Sequence, residues 1–238
     1  MYPMYLNVLK CLRININIRY LSNVQTKQTV SDCMPSYFTL SKGLEANSDL
    51  SSSLINNMTV HDDFLSPTEE QTILEEIEPY MKRLRYEFDH WDDAIHGYRE
   101  TERLKWNEVN TKILDRVRAI AFPPNVEQLK YVHILDLDKT GYIKPHIDAV
   151  RFCGNTIAGL SLLSDSIMRL VHDKNKDLYA DVLLKRRSLY IMKDTARFDY
   201  THEILCNEKS IFKGAQIFKD RRISVICRNE PNPENKRL

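Results

Sequence analysis

Between Lys130 and Asn229 the sequence breaks into seven short runs: KYVHILDL, GYIKPHID, TIAGLSLL, IMRLVHD, KRRSLYIMK, YTHEILC and RRISVICRN. Each is rich in β-branched and aromatic residues, and the stretches between them carry Gly, Asn, Asp and Lys. Seven such runs within so short a span predict a β sandwich or jelly roll.

Ahead of them the period is helical. In SPTEEQTILEEIEPYMKRLRYE, Ser66 is placed to cap a helix, Pro67 to occupy its first turn and Glu69 to complete a capping box. Ile73, Leu74, Ile77, Met81 and Leu84 follow at helical spacing, with Pro79 as a point of kinking. A second helix is expected from about Asn107, its apolar side made of Val109, Ile113, Leu114, Val117 and Ile120, ending at FPPN. The fold class is therefore α+β: residues 60–122 form a helical part, residues 129–230 a β core, and residues 231–238 a tail. Residues 32–59, rich in Ser and Asn without sustained periodicity, read as a linker. Residues 1–31 contain no Asp or Glu but carry Lys10, Arg13, Arg19 and Lys27, the character of a mitochondrial transit peptide, so the mitochondrial matrix is the expected location.

Charge and cysteine content narrow the function. Lys and Arg total 34 against 33 for Asp and Glu, so no global basic field draws the chain to nucleic acid. Five cysteines, odd in number and free of any CxxC pair, argue against a disulfide framework and a zinc knuckle. No apolar run is long enough to span a bilayer.

A His-x-Asp pattern occurs three times, at His61 and Asp63, His90 and Asp92, and His146 and Asp148. Only the last lies in a strand-like run, where alternation directs both side chains to one face. Two His and one carboxylate on one side of an octahedron leave three positions open, as in non-haem Fe(II) oxygenases. The second His has to come from another strand: His202, in FDYTHEIL, is the best candidate, ahead of His172 at a strand end and His133, which suits a core position. In RRISVICRN, Arg222, Ser224, Ile226 and Arg228 share a face, opposite Ile223, Val225 and Cys227. An inward guanidinium needs an anion, and it grips a carboxylate well.

The motifs HID at 146–148, YTHEI at 200–204 and RISVICR at 222–228 together resemble the AlkB-type Fe(II)/2-oxoglutarate dioxygenases, and within them the mitochondrial branch. HWDDAIHGYRETERLKW, HIDAVRFCGNTIAGLSLLSDSIMRLVH and SLYIMKDTARFDYTHEIL add to the likeness, which covers roughly residues 60–230. The resemblance implies a double-stranded β-helix with N-terminal helices packed on it. It implies Fe(II) and 2-oxoglutarate as cofactors, O2 as cosubstrate, and His146, Asp148 and His202 as iron ligands. It also implies that Arg222 and Tyr190 hold the distal carboxylate of 2-oxoglutarate and that Arg228 lies near its other end.

The chain departs from base-repairing members of the family, which carry Asn-x-Tyr ahead of the metal His. Alignment on Gly141 places Asp136 and Asp138 there, expected near the mouth of the site, where two acids would repel phosphates. Residues 122–131 are too few for an elaborate lid over a flipped base. The expected activity is hydroxylation of a mitochondrial protein or other non-nucleic-acid substrate with release of succinate and CO2. RNA N-methyl demethylation, with Lys185, Arg186 and Arg187 as a basic patch, is the alternative, and a monomer is expected.

Overall fold

The stretch read as a linker is folded from Phe38 onward. The computed structural model describes residues 34–88 and 94–234. The transit-peptide reading of residues 1–31, the His90 and Asp92 pair and residues 235–238 of the tail lie outside them. Residues 38–57 form a strand, β1 (Phe38–Leu40), and two helices, α1 (Lys42–Glu45) and α2 (Ser48–Asn57). The Ser and Asn that suggested a linker include the caps: Ser41 Oγ accepts from the Leu44 amide, and Asn47 Oδ1 from the Leu50 amide. Phe38, Leu44 and Leu54 are fully buried, so a few apolar anchors dock elements too short to show a period.

Next come β2 (Met58–His61) and α3 (Pro67–Met81), which has the expected capping box between Ser66 and Glu69. It continues through Pro79 and ends at Met81, leaving Leu84 exposed beyond it. β3 (Ile95–Arg103) is a strand inside the span expected to be helical. α4 (Glu108–Ala121) buries Ile113, Leu114 and Val117 as expected, but Val109 and Ile120 face solvent while Asn110 and Ala121 are buried.

The β core continues with β4 (Val132–His146), β5 (Thr156–Leu162), β6 (Ser166–His172), β7 (Tyr179–Leu184) and β8 (Leu189–Lys193). After the short α5 (Asp194–Phe198) come β9 (Tyr200–Ile204), a two-residue-stranded hairpin of β10 (Ile211–Phe212) and β11 (Ala215–Gln216), and β12 (Arg222–Arg228). The first two expected strands are one, because Gly141 marks a close approach rather than a turn: a Cβ there would collide with the Gly97 carbonyl on β3. β7, absent from the sequence expectation, takes up YADVLL, while residues 185–188 precede β8 instead of belonging to it.

The sheet order is β1-β7-β6-β9-β4-β12-β5-β8-β2, with β3 also on β4. β4 pairs with β12 along its first half and with β9 near its end, after an irregularity between Ile143 and His146, and so belongs to both layers of the jelly roll. Strand parity then divides the apolar residues. Leu135, Leu137, Tyr190 and Ile226 face Met168, Leu170, Val182 and Ile204 inside the roll. Ile134, Ile223, Val225 and Cys227 face outward onto Ile73, Ile77, Ile113 and Val117 of α3 and α4.

Candidate metal and cosubstrate site

His146 closes β4 and lies opposite His202 of β9, with their ring centroids 4.2 Å apart. Asp148 stands just past the strand rather than in it, and its Oδ1 lies 3.3 Å from His146 Nε2 and 3.6 Å from His202 Nε2. Ligands about 2.1 Å from one ion and at right angles to each other would stand about 3 Å apart, so these two separations fit a common ion. The donor atoms all lie within 4.8 Å of one another. His146 Nδ1 is 2.9 Å from the Lys144 carbonyl and donates to it, which leaves the Nε2 lone pair toward Asp148 and His202. Burial, chiefly, pushes the His202 imidazole down to about 3, so it is a neutral donor at physiological pH. Burial alone would raise the Asp148 carboxyl, but the neighbouring His146 and His202 and the charge of Arg228 hold it well below the usual carboxylate range.

Deeper in the roll, Arg222 is 1% exposed and belongs to no ion pair among the described residues. Its guanidinium donates to Ser224 Oγ at 2.5 Å and Ser161 Oγ at 3.0 Å, and Nε is buried with no acceptor. Burial lowers its pKa, with a partial opposing contribution from Tyr190. A buried guanidinium with only two hydroxyl acceptors is suited to receive an anion. Tyr190, on β8, lies across the sheet from Gly159 of β5, and a Cβ on Gly159 would overlap the tyrosine ring and its hydroxyl. That glycine is what lets the ring lie flat inside the roll. Fe(II) suits the N, N, O donor set, and a dicarboxylate suits the cationic depth behind it.

The other oxygen of Asp148 has partners that the sequence alone did not reveal. Arg228 Nη2 lies 3.2 Å from Oδ2, and the Cys153 thiol is directed at the same oxygen at 3.8 Å. Cys153 in turn accepts a hydrogen bond at 3.3 Å from Arg197 of α5, which is fully buried and whose Nε and Nη1 are without acceptors. Arg228 also reaches His133 Nδ1 at 3.1 Å, and His133 Nε2 lies 2.8 Å from Glu100 Oε2.

The remaining candidates lie elsewhere. His172 Nδ1 accepts from the Lys174 amide at a strand end. His61 is exposed, and Asp63 pairs with Arg187. Lys185 and Arg186 are likewise committed, to Asp62 and Glu70, so the expected basic patch is neutralised. Asp136 is not near the mouth. It alternates with Leu135 and Leu137 and therefore faces α3, fully buried, where Arg99 and Arg221 pair with it at 2.7 and 2.8 Å. Asp138 accepts from Thr140, and neither acid lines the cleft that opens above the triad.

Residues 66–228 match the family model of the 2OG-Fe(II) oxygenase superfamily. The chain belongs to that superfamily. Within it the chain is an AlkB-family dioxygenase. It is 53% identical over 178 residues to the mouse "Alpha-ketoglutarate-dependent dioxygenase alkB homolog 7, mitochondrial", covering 75% of this chain and 80% of that one. The bovine protein of the same name is 55% identical over 168 residues, covering 71% and 76%. A prolyl hydroxylase from Trichoplax adhaerens, solved with a peptide of hypoxia inducible factor, shares the fold with a TM-score of 0.54 at 11% identity, covering 82% of this chain and 95% of that one.

In this dioxygenase the triad opens upward into a cleft of about 840 Å³. Ionisable residues of both signs line it: Glu100, Glu102, Asp148 and Glu230 against Lys130, Arg151 and Arg228. Tyr131 and Phe152, both exposed, stand at its edge. No helix among the described residues is long and apolar enough to cross a membrane.

Proposed function

We propose that this AlkB-family dioxygenase works in the mitochondrial matrix, its N-terminal 31 residues serving as the import leader, and hydroxylates a protein or other non-nucleic-acid substrate. His146, Asp148 and His202 are the iron ligands, and Arg222 with Tyr190 receives the distal carboxylate of 2-oxoglutarate. When bound, Fe(II) with 2-oxoglutarate and O2 supplies the oxidant: one oxygen atom enters a substrate C–H bond, and the other accompanies decarboxylation of the oxo acid to succinate.

The chain's own residues arrange that chemistry. His146 and His202 present Nε2 and Asp148 presents Oδ1, while Arg228 and Cys153 occupy Oδ2 and keep the carboxylate from rotating. Arg222 gives the cosubstrate one orientation, because its charge lies at the closed end of the roll. The apolar walls around it, including Leu137 and Ile226, exclude water.

The observation that carries the substrate class is that the cleft has no excess of positive charge. Four acids, Glu100, Glu102, Asp148 and Glu230, face three bases, Lys130, Arg151 and Arg228, and the basic run at 185–187 is paired internally, so among the described residues no phosphate-tracking surface leads to the triad. RNA N-methyl demethylation is the competing reading, favoured by the exposed rings of Tyr131 and Phe152, on which a base would stack. Incubation with Fe(II), 2-oxoglutarate and either matrix protein or methylated mitochondrial transfer RNA separates the two. Gain of one oxygen atom on a peptide is expected; loss of a methyl group from the RNA with release of formaldehyde would overturn the reading.

A further inference from the structure

The elements around Arg228 connect the metal to the rim of the cleft. β3 pairs with β4 so that Glu102 stands opposite His133, and Glu100, two residues along, projects from the same face. β12 lies on the other side of β4, placing Ile226 opposite His133 and Arg228 just beyond. Three neighbouring strands thus present Glu100, His133 and Arg228 as a row that ends on Asp148.

The hydrogen bonds in this row have only one consistent direction. A guanidinium has donors and no acceptor, so His133 Nδ1 must accept from Arg228 Nη1. The imidazole proton then sits on Nε2 and is donated to Glu100 Oε2 at 2.8 Å. Glu100 therefore selects the tautomer in which His133 can steady Arg228. The second amino group of Arg228 holds Asp148 Oδ2, and its Nε is buried without an acceptor, so these two contacts define where the guanidinium sits.

We propose that Glu100 and His133 are positioning residues: by fixing Arg228 on Oδ2 they hold Asp148 with Oδ1 toward the iron. The proposal rests on His146, Asp148 and His202 being the iron ligands and not on the substrate class. Both residues line the cleft, and Glu100 is the more open of the two, so the row runs from the substrate opening to the metal ligand. Partners that orient metal ligands typically change metal affinity by about 10- to 100-fold when removed.

The test is anaerobic titration of the full chain with Fe(II), then with 2-oxoglutarate, following the visible charge-transfer absorption that appears when a 2-oxo acid chelates Fe(II). A signal in the wild type establishes the site itself and so separates failure of the site assignment from failure of this inference. Glu100→Ala and His133→Leu are each expected to weaken Fe(II) binding about ten-fold or more. His133→Gln, whose amide oxygen can still accept from Arg228, is expected to recover most of that loss. If His133→Leu does not fold, Glu100→Ala carries the test, and wild-type Fe(II) affinity in it would overturn the proposal. Glu100→Ala combined with His133→Leu is expected to bind no more weakly than His133→Leu alone, because the two act in series. Wild-type Fe(II) affinity in both single variants, or fully additive losses in the double variant, would overturn the proposal.

Discussion

Replacing Arg222 with methionine separates a ligand-holding arginine from a structural one. The wild-type guanidinium is buried with two hydroxyl acceptors and no anion. Removing the charge relieves an ion-desolvation penalty of several kcal/mol. Against this, the hydroxyls of Ser161 and Ser224 lose their donor, at about 1–3 kcal/mol each. The two effects nearly offset, so the ligand-free variant should melt within a few degrees of wild type. Binding behaves differently: withdrawing one member of a buried charge pair costs about 3–5 kcal/mol, a weakening of 2-oxoglutarate affinity by roughly two to three and a half orders of magnitude. Thermal unfolding in Mn(II), with and without 2-oxoglutarate, measures both quantities. At a hundredfold excess over its dissociation constant, the oxo acid should stabilise the wild type by about 2.7 kcal/mol, or roughly 5–10 °C for a domain of this size. Arg222→Met should show almost no shift at the same concentration. If the variant instead melts far below wild type and still responds to 2-oxoglutarate, Arg222 is structural and the cosubstrate lies elsewhere.

His146→Ala and Asp148→Ala should each abolish succinate formation, and chelation of the wild type should do the same, reversibly on adding Fe(II); turnover without His146 would remove it from the ligand set. Gly159→Ala should displace the Tyr190 ring and raise the KM for 2-oxoglutarate more than Tyr190→Phe does, since the latter deletes one hydroxyl and leaves the ring in place; equal effects would mean that the ring's position does not matter. His202, held at about 3 against 6.5 for an ordinary histidine, stays neutral in the metal-free native state while the unfolded chain takes up its proton. That contribution is intact above pH 6.5 and is lost as pH falls from there toward 3, with a limiting slope of about 1.4 kcal/mol per pH unit. Urea unfolding of metal-free His202→Gln across that window should therefore show a shallower pH dependence than wild type, and an unchanged slope would contradict the neutral assignment.

The features legible in the sequence were those in which a local pattern reports directly on a face. Parity along RRISVICRN separated Arg222 and Arg228 from Ile223, Val225 and Cys227, and the structure divides them between the roll interior and the helical layer in the same way. The capping box at Ser66 and the strand setting of His146 and His202 are equally local. Family spacing puts Asp136 at the mouth, whereas the alternation of Leu135, Asp136 and Leu137 places the acid on the opposite face, where Arg99 holds it. Glu100, Cys153 and Arg197 left no local signal, since their roles exist only once β3, the turn after Asp148 and α5 meet at one carboxylate. Residues 38–57 escaped because a four-residue and a ten-residue helix are too short for a period to rise above Ser-rich composition.

Those same residues have a consequence for how the molecule assembles. β1 and β2, separated only by the two short helices, end the strand order on opposite sides, Phe38 beside Val182 and Val60 beside Tyr190. β1 and β2 thus have no partners until β7 and β8, more than 120 residues further on, have been made. Contacts of such long sequence separation form slowly, because loop closure precedes any gain from pairing. Until those margins close, β7 and β8 present open edges to any neighbouring chain.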